Sequence, residues 1–207
     1  MPPRASKSPD GKPAPGTSPG IQYTARTRDV YYLHALTGKN GKPRYHFSIK
    51  PPAQPVPQIP DGFEIHENIR GQVFLRRRTA QLITPAEVAL VDAALGSLRS
   101  PNFCRQEVKK NSIVIHEAEN QSESLRKVVL PWLNAAPLED YVSAHAVYMA
   151  VMRFTLVEAE GRKFIVERFC FRGSVDDWIF LDGPAPLAAH LKSYLKHLGK
   201  ESLYDLY

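Results

Sequence analysis

Two stretches of this sequence carry side chains suited to chemistry. His116, Glu117 and Glu119 stand in an H-E-x-E pattern, and Asp176-Asp177 precedes Trp178. An imidazole beside a carboxylate can move a proton or help to hold a divalent ion. Two carboxylates with Glu167 nearby offer the oxygen ligands that Mg²⁺ takes in a nuclease. His116, Glu117, Glu119, Asp176 and Asp177 together would make a metal-dependent hydrolase or nuclease, which requires them to converge in one pocket. The spacing is not H-E-x-x-H, so a zinc-protease helix is excluded on pattern. On a strand, Glu117 and Glu119 share one face while His116 looks the other way. A polar strand end, and a turn residue at Asp176 after Gly173-Ser174, are the plainer readings.

A second set of residues has the ingredients of a nucleic-acid surface. Arg26, Arg28, Lys39, Lys42, Arg44, Arg76, Arg77 and Arg78 are interleaved with Tyr31 and Tyr45. Phosphates pair with such cations, and unstacked bases lie on such rings. A solvated mixed-charge surface over core rings explains the same residues without a ligand. The charge is unevenly spread along the chain. Residues 1–28 hold five basic groups against one acid, and residues 29–80 hold eight against four. The remaining residues hold fourteen against sixteen, within a formal net charge of +6. The basic character therefore belongs to the N-terminal part, and its partner is expected to be nucleic acid or an acidic protein. His34 and His46 fall on neighbouring strands, without an evident third metal ligand.

Several classes are excluded. No GxxxxGK[ST], GxGxxG or GxSxG occurs, so nucleotide-cradling loops and hydrolase elbows have no local support. Ser143 and His145 lack an assignable third partner for a triad. The two cysteines, Cys104 and Cys170, form no C-x-x-C pair, and Cys170 sits in an apolar strand context. No cofactor or resident metal is implied. The chain begins without an apolar leader segment, and no uncharged stretch reaches membrane-spanning length. A cytoplasmic protein is expected. A homodimer through a free sheet edge is conceivable but nothing in the sequence supports it.

The elements that must position these residues are hairpins. Three hairpin patterns have Gly in their turns: 29–50 around Gly38 and Gly41, 63–77 around Gly71, and 147–172 around Gly161. Tight turns join antiparallel neighbours, because parallel pairing needs a long crossover. Thr84-Pro85-Ala86-Glu87 opens a helix with an N-cap, Pro at the first helical position and a capping box. Val88, Val91, Leu95 and Leu98 give that helix an apolar stripe. A strand is expected over 112–116, a helix over 122–132, irregular chain over 133–141, a short strand over 176–181 and a terminal helix over 186–198.

The expected architecture is α+β. One domain over 27–207 would hold an antiparallel sheet of six or seven strands with two or three packed helices. Residues 1–26, rich in Pro, Gly and Ser, read as a disordered tail, since they offer too little apolar surface to offset ordering. The proline-dense segment 51–60 reads as an extended connector. The expected function is a non-catalytic binding or adaptor protein whose basic N-terminal part makes the contact; the hydrolase reading is the alternative.

Overall fold

The computed structural model describes residues 20–98, 103–119, 143–172 and 175–206. Among the described residues, ten strands form three antiparallel sheets. β1 (Gln22–Thr24), β2 (Val30–Thr37) and β3 (Pro43–Ser48) make the first. β4 (Phe63–Glu67) and β5 (Val73–Arg77) make the second. The largest holds β6 (Cys104–Lys109), β7 (Ser112–Ala118), β8 (Tyr148–Glu158), β9 (Lys163–Arg172) and β10 (Val175–Pro186), in the order β10-β9-β8-β7-β6. Helix α1 spans Pro85–Gly96 and α2 spans Leu187–Tyr194, followed by 3-10 turns at Leu195–His197 and Glu201–Leu203. The α+β class and the three glycine hairpins match the sequence pattern. The single sheet does not: the pairing is divided among three sheets. β1 lies upstream of residue 27, and β6 joins β7 through Lys110-Asn111, a connection without glycine that the pattern does not mark. The helix expected over 122–132, the irregular stretch over 133–141 and residues 1–19 lie outside the described residues.

The large sheet has two faces of different character. Ile113 pairs with Phe154 and Ile115 with Met152, and Phe154 pairs in turn with Val166. Paired residues share a face, so these five form one apolar surface. All five side chains are fully buried. Val91 and Leu95 of α1 and Leu187 and Leu191 of α2 cover that face and complete the main core. Thr84 caps α1: its hydroxyl accepts from the Glu87 N–H while the Glu87 carboxylate accepts from the Thr84 N–H, as the capping box requires. Arg162, at φ +49° in the β8–β9 turn, donates to the same Glu87 carboxylate and to the Leu82 carbonyl. One salt-bridged cap thus ties the central hairpin to the start of α1. Leu203 is buried and Leu206 packs on the core.

The N-terminal strands form a thinner layer. Leu33 is its fully buried side chain, with Ala25 and Val73 also buried. Across β2–β3 the register pairs His34 with His46, Leu33 with Phe47 and Ala35 with Tyr45. Tyr31, Leu33 and Ala35 therefore share the inner face with Tyr45 and Phe47. Tyr32, His34, Arg44 and His46 share the outer one.

Candidate functional site

A cleft of about 650 Å³ separates the N-terminal layer from the large sheet. Ile65, His66 and Glu67 of β4 line one wall, and Cys104 to Val108 of β6 line the other. Consecutive residues of a strand point to opposite faces, so a wall of consecutive residues presents the strand's edge. Neither edge has a partner strand among the described residues. Tyr23 and Arg26, from β1 and the turn after it, and Asp92, Leu95 and Gly96 of α1 close the ends.

Register sets the chemistry of this cleft. Arg105 pairs with His116, and β7 and β8 slip by one residue there: Ile115 faces Met152, but His116 faces Ala150. The extra residue, Val151, turns into the main core. Such a bulge re-aims the side chains beyond it. Here it puts Tyr148 on the Arg105 side of the sheet. The Arg105 guanidinium carbon lies 5.1 Å from the Tyr148 ring centroid and that of Arg26 lies 5.2 Å from it, both within cation–π range. Arg105 also donates to the Ser143 hydroxyl and carbonyl. Arg26 reaches this position because Gly71, at φ +77°, lets the β4–β5 turn pass close by; a Cβ there would stand 3.1 Å from Arg26 Nε. Glu67 accepts from the Arg26 backbone N–H and the Tyr23 hydroxyl, and lies 3.8 Å from Arg26 Nε. Burial, then the neighbouring Arg105 charge, lower the Arg26 pKa.

Other charged groups at the cleft have partners of opposite sign, although Gln106 Oε1 and His116 Nδ1 are buried without a hydrogen bond. Arg76 donates to Glu64 at 2.8 Å. His116 Nε2 lies 3.3 Å from Glu107 Oε2, and His116, ahead of Lys109, holds the Glu107 carboxyl below its ordinary range despite burial. Burial, with Arg76 next, lowers the His66 pKa against the pull of Glu107, Glu64 and Glu67. Burial, followed by the Glu117 charge, pushes the Cys104 thiol up to about 12, which disfavours its thiolate form.

The five hydrolase candidates are not brought together. His116 is buried against Glu107, a partner the H-E-x-E pattern does not contain. Glu117 lies on the other face and accepts from the Gly199 N–H, while burial raises its pKa. Glu119 donates its backbone N–H to the Val147 carbonyl. Asp176 and Asp177 stand on β10, where the Asp177 carboxylate accepts from the Trp178 N–H. β8 and β9 stand between β7 and β10, so His116 and Asp177 are three strand spacings, about 14 Å, apart. Among the described residues no three His, Cys, Asp or Glu side chains are grouped to hold a metal. Glu167 is occupied by a bidentate pair with Arg153, at 2.7 Å for both contacts.

The cationic candidates divide. Arg26 and Arg76 are drawn into the cleft. Arg28, Lys39, Lys42, Arg44, Arg77 and Arg78 stay outside it, and among the described residues none has a carboxylate partner. Arg77 lies over the Phe63 ring, and Arg78 donates to the Phe63 carbonyl. Tyr31 and Tyr45 lie on the inner face with Leu33, away from Arg44. The rings beside Arg44 are His34 and His46, stacked with centroids 4.9 Å apart, and Tyr32. The period-two pattern carries this assignment, because Arg44 and His46 have the same parity. Arg105, Tyr148 and Glu107 carry no such signal: the bulge that unites the first two is not written in local periodicity.

No helix among the described residues is long and apolar enough to cross a membrane. Comparison with known proteins finds no family model, no curated protein and no solved structure that matches this chain.

Proposed function

We propose that this protein is a non-catalytic binding protein that holds a polyanion, single-stranded nucleic acid in the first place, on the outer face of the β1–β3 sheet. The observation that carries this reading is the absence of neutralising carboxylates there among the described residues. Lys39, Lys42 and Arg44 sit together at the β2–β3 end without such a partner, beside the stacked His34 and His46 rings. In the large sheet, by contrast, Arg153, Arg162 and Lys163 each meet a carboxylate. Unpaired cations bind phosphate by releasing its counterions, and exposed flat rings add base stacking that tolerates any sequence. The contact is one of charge and shape rather than base reading.

Salt-dependent binding of the full chain to a labelled single-stranded oligonucleotide tests it, with a poly-glutamate of equal charge as competitor. Binding that weakens with salt, drops on Arg44→Gln and His46→Ala, and resists poly-glutamate supports nucleic acid. Equal competition by poly-glutamate points instead to an acidic protein partner. Absence of oligonucleotide binding even at low salt overturns the nucleic-acid reading.

A further inference from the structure

The large sheet ends in two edges of different character. At β10 the ladder is broken by two register shifts, and the Trp178 and Gly183 N–H groups are taken by the Asp177 and Asp182 carboxylates. Bulges and charged side chains keep an edge strand from pairing with another chain. At β6 the register with β7 is unbroken. Lys109 and Ser112 flank a two-residue turn and form a hydrogen-bonded pair, so alternation pairs Glu107 and Arg105 with β7 in the same way. The backbone N–H and C=O of Gln106 and Val108 therefore point away from β7, on the edge that lines the cleft. Among the described residues these groups have no hydrogen-bond partner.

The space beside this edge is elongated. A second hollow of about 600 Å³ shares Arg76, Asp92 and Val108 with the cleft and carries the groove on to Ile83 and Val88. On one face of β6, Gln106 donates to the Val88 carbonyl of α1 and Val108 packs on the core. Arg105 and Glu107 occupy the other face. The cleft lining holds three arginines, Arg26, Arg76 and Arg105, against three carboxylates, Glu67, Asp92 and Glu107. That balance suits an occupant without net charge.

We infer that the cleft is a strand-addition site, in which an extended, uncharged segment of a partner protein pairs its backbone with the free edge of β6. Main-chain bonds supply affinity in this mode, and alternate side chains supply specificity. Alternation along the segment would set apolar side chains against α1 and polar ones beside Arg105 and Glu107. β6 belongs to the five-stranded sheet that holds the main core, whereas the facing β4 belongs to a two-stranded one, a weaker template. The site is separate from the β1–β3 outer face, so the two readings stand or fall independently.

Titration of the labelled full chain with acetyl-Thr-Val-Thr-Val-Thr-amide, to millimolar concentration, tests the site through backbone amide resonances and hydrogen exchange. Saturable shifts and slowed exchange are expected at Gln106 and Val108. N-methylation leaves the peptide side chains in place but removes donors. Methylating the two valines should abolish antiparallel pairing, and methylating the threonines should abolish parallel pairing. Val108→Pro deletes an edge-facing N–H that the β6–β7 ladder does not use, and should weaken binding about fivefold or more. Lys192→Gln on α2 should leave it unchanged. Absence of shifts, slowed exchange at Ile65 and Glu67 instead, or binding that survives both methylated peptides would overturn the inference. So would wild-type affinity in folded Val108→Pro. Protection of Gln106 and Val108 in the free chain would show an edge already paired, by the chain itself or by a second copy, and would overturn it as well.

Discussion

The β8–β9 and β2–β3 hairpins follow the same alternation and are used in opposite ways. In β8–β9, Met152, Phe154, Leu156, Phe164 and Val166 are all buried under two helices. Three of its cations meet carboxylates, Arg153 with Glu167, Lys163 with Glu158 and Arg162 with Glu87, while the buried Arg168 donates to the Leu206 and Phe169 carbonyls. In β2–β3, Leu33 is the fully buried side chain, and the cations have no carboxylate partners among the described residues. The main core cluster contains no described residue before Ile83. Stability is therefore concentrated in the large sheet, and unneutralised charge in the N-terminal layer. Local opening should start where fewer apolar contacts hold the strands.

The largest effect should come from Phe154→Ala. It empties a fully buried site in the central strand and should cost about 3–5 kcal/mol, read as a lower denaturant midpoint for the whole protein. Leu33→Ala should cost about 2–3 kcal/mol, at the lower end of such truncations, since its surroundings are thinner. Hydrogen exchange makes the contrast sharper. Leu33→Ala should expose β2 and β3 amides while β7 to β9 keep their protection; loss of protection everywhere would show that the two regions unfold as one unit.

Thr84→Ala removes the α1 cap and should cost about 1 kcal/mol. Because Glu87 also receives Arg162, the loss should extend to the β8–β9 turn. Glu87 has a pH signature. Burial raises its pKa, but Arg162 and Thr84 outweigh that and bring it below 4.5. A depressed carboxylate contributes stability above its unfolded pKa and loses it as pH falls through the folded value. The Thr84→Ala penalty should therefore shrink in acid.

Glu117 behaves in reverse. Burial raises its pKa above 4.5 against the opposing Gly199 N–H bond. Folding favours its protonated form, so its contribution is best below the unfolded pKa and worsens as pH rises through the folded one. Glu117→Gln keeps an acceptor for Gly199 and should raise the melting midpoint at neutral pH, with no gain in acid. The smallest stability change belongs to Lys39→Gln with Lys42→Gln, within about 0.5 kcal/mol per site. Those substitutions should instead lower the slope of oligonucleotide binding against salt, by about one for each phosphate that the side chain no longer neutralises. An unchanged slope would remove the hairpin end from the binding surface.

Much of this arrangement can be read in the chain. The capping box of Thr84 and Glu87, the glycine turns, and the parity that sets His34 opposite His46 are local features, and each appears as the pattern implies. The candidate residues were less legible. Tyr31 and Tyr45 look like partners of Arg44 in a linear reading, but parity turns them inward. H-E-x-E suggests Glu117 and Glu119 as partners of His116, whereas the neighbouring strand supplies Glu107. Strands present opposite faces at successive positions, so the residue that meets a side chain usually comes from the next strand rather than from the next position.

By itself, then, the sequence determined the hairpins, the first helix and the concentration of basic charge in the N-terminal part, because turn conformation, capping and composition act over a few residues. Tertiary structure alone decided the division into three sheets, the burial of Arg26, and the one-residue slip that brings Tyr148 to Arg26 and Arg105. Those outcomes depend on which distant strands pair and in what register, and the energies that choose among registers come from packing across the whole sheet.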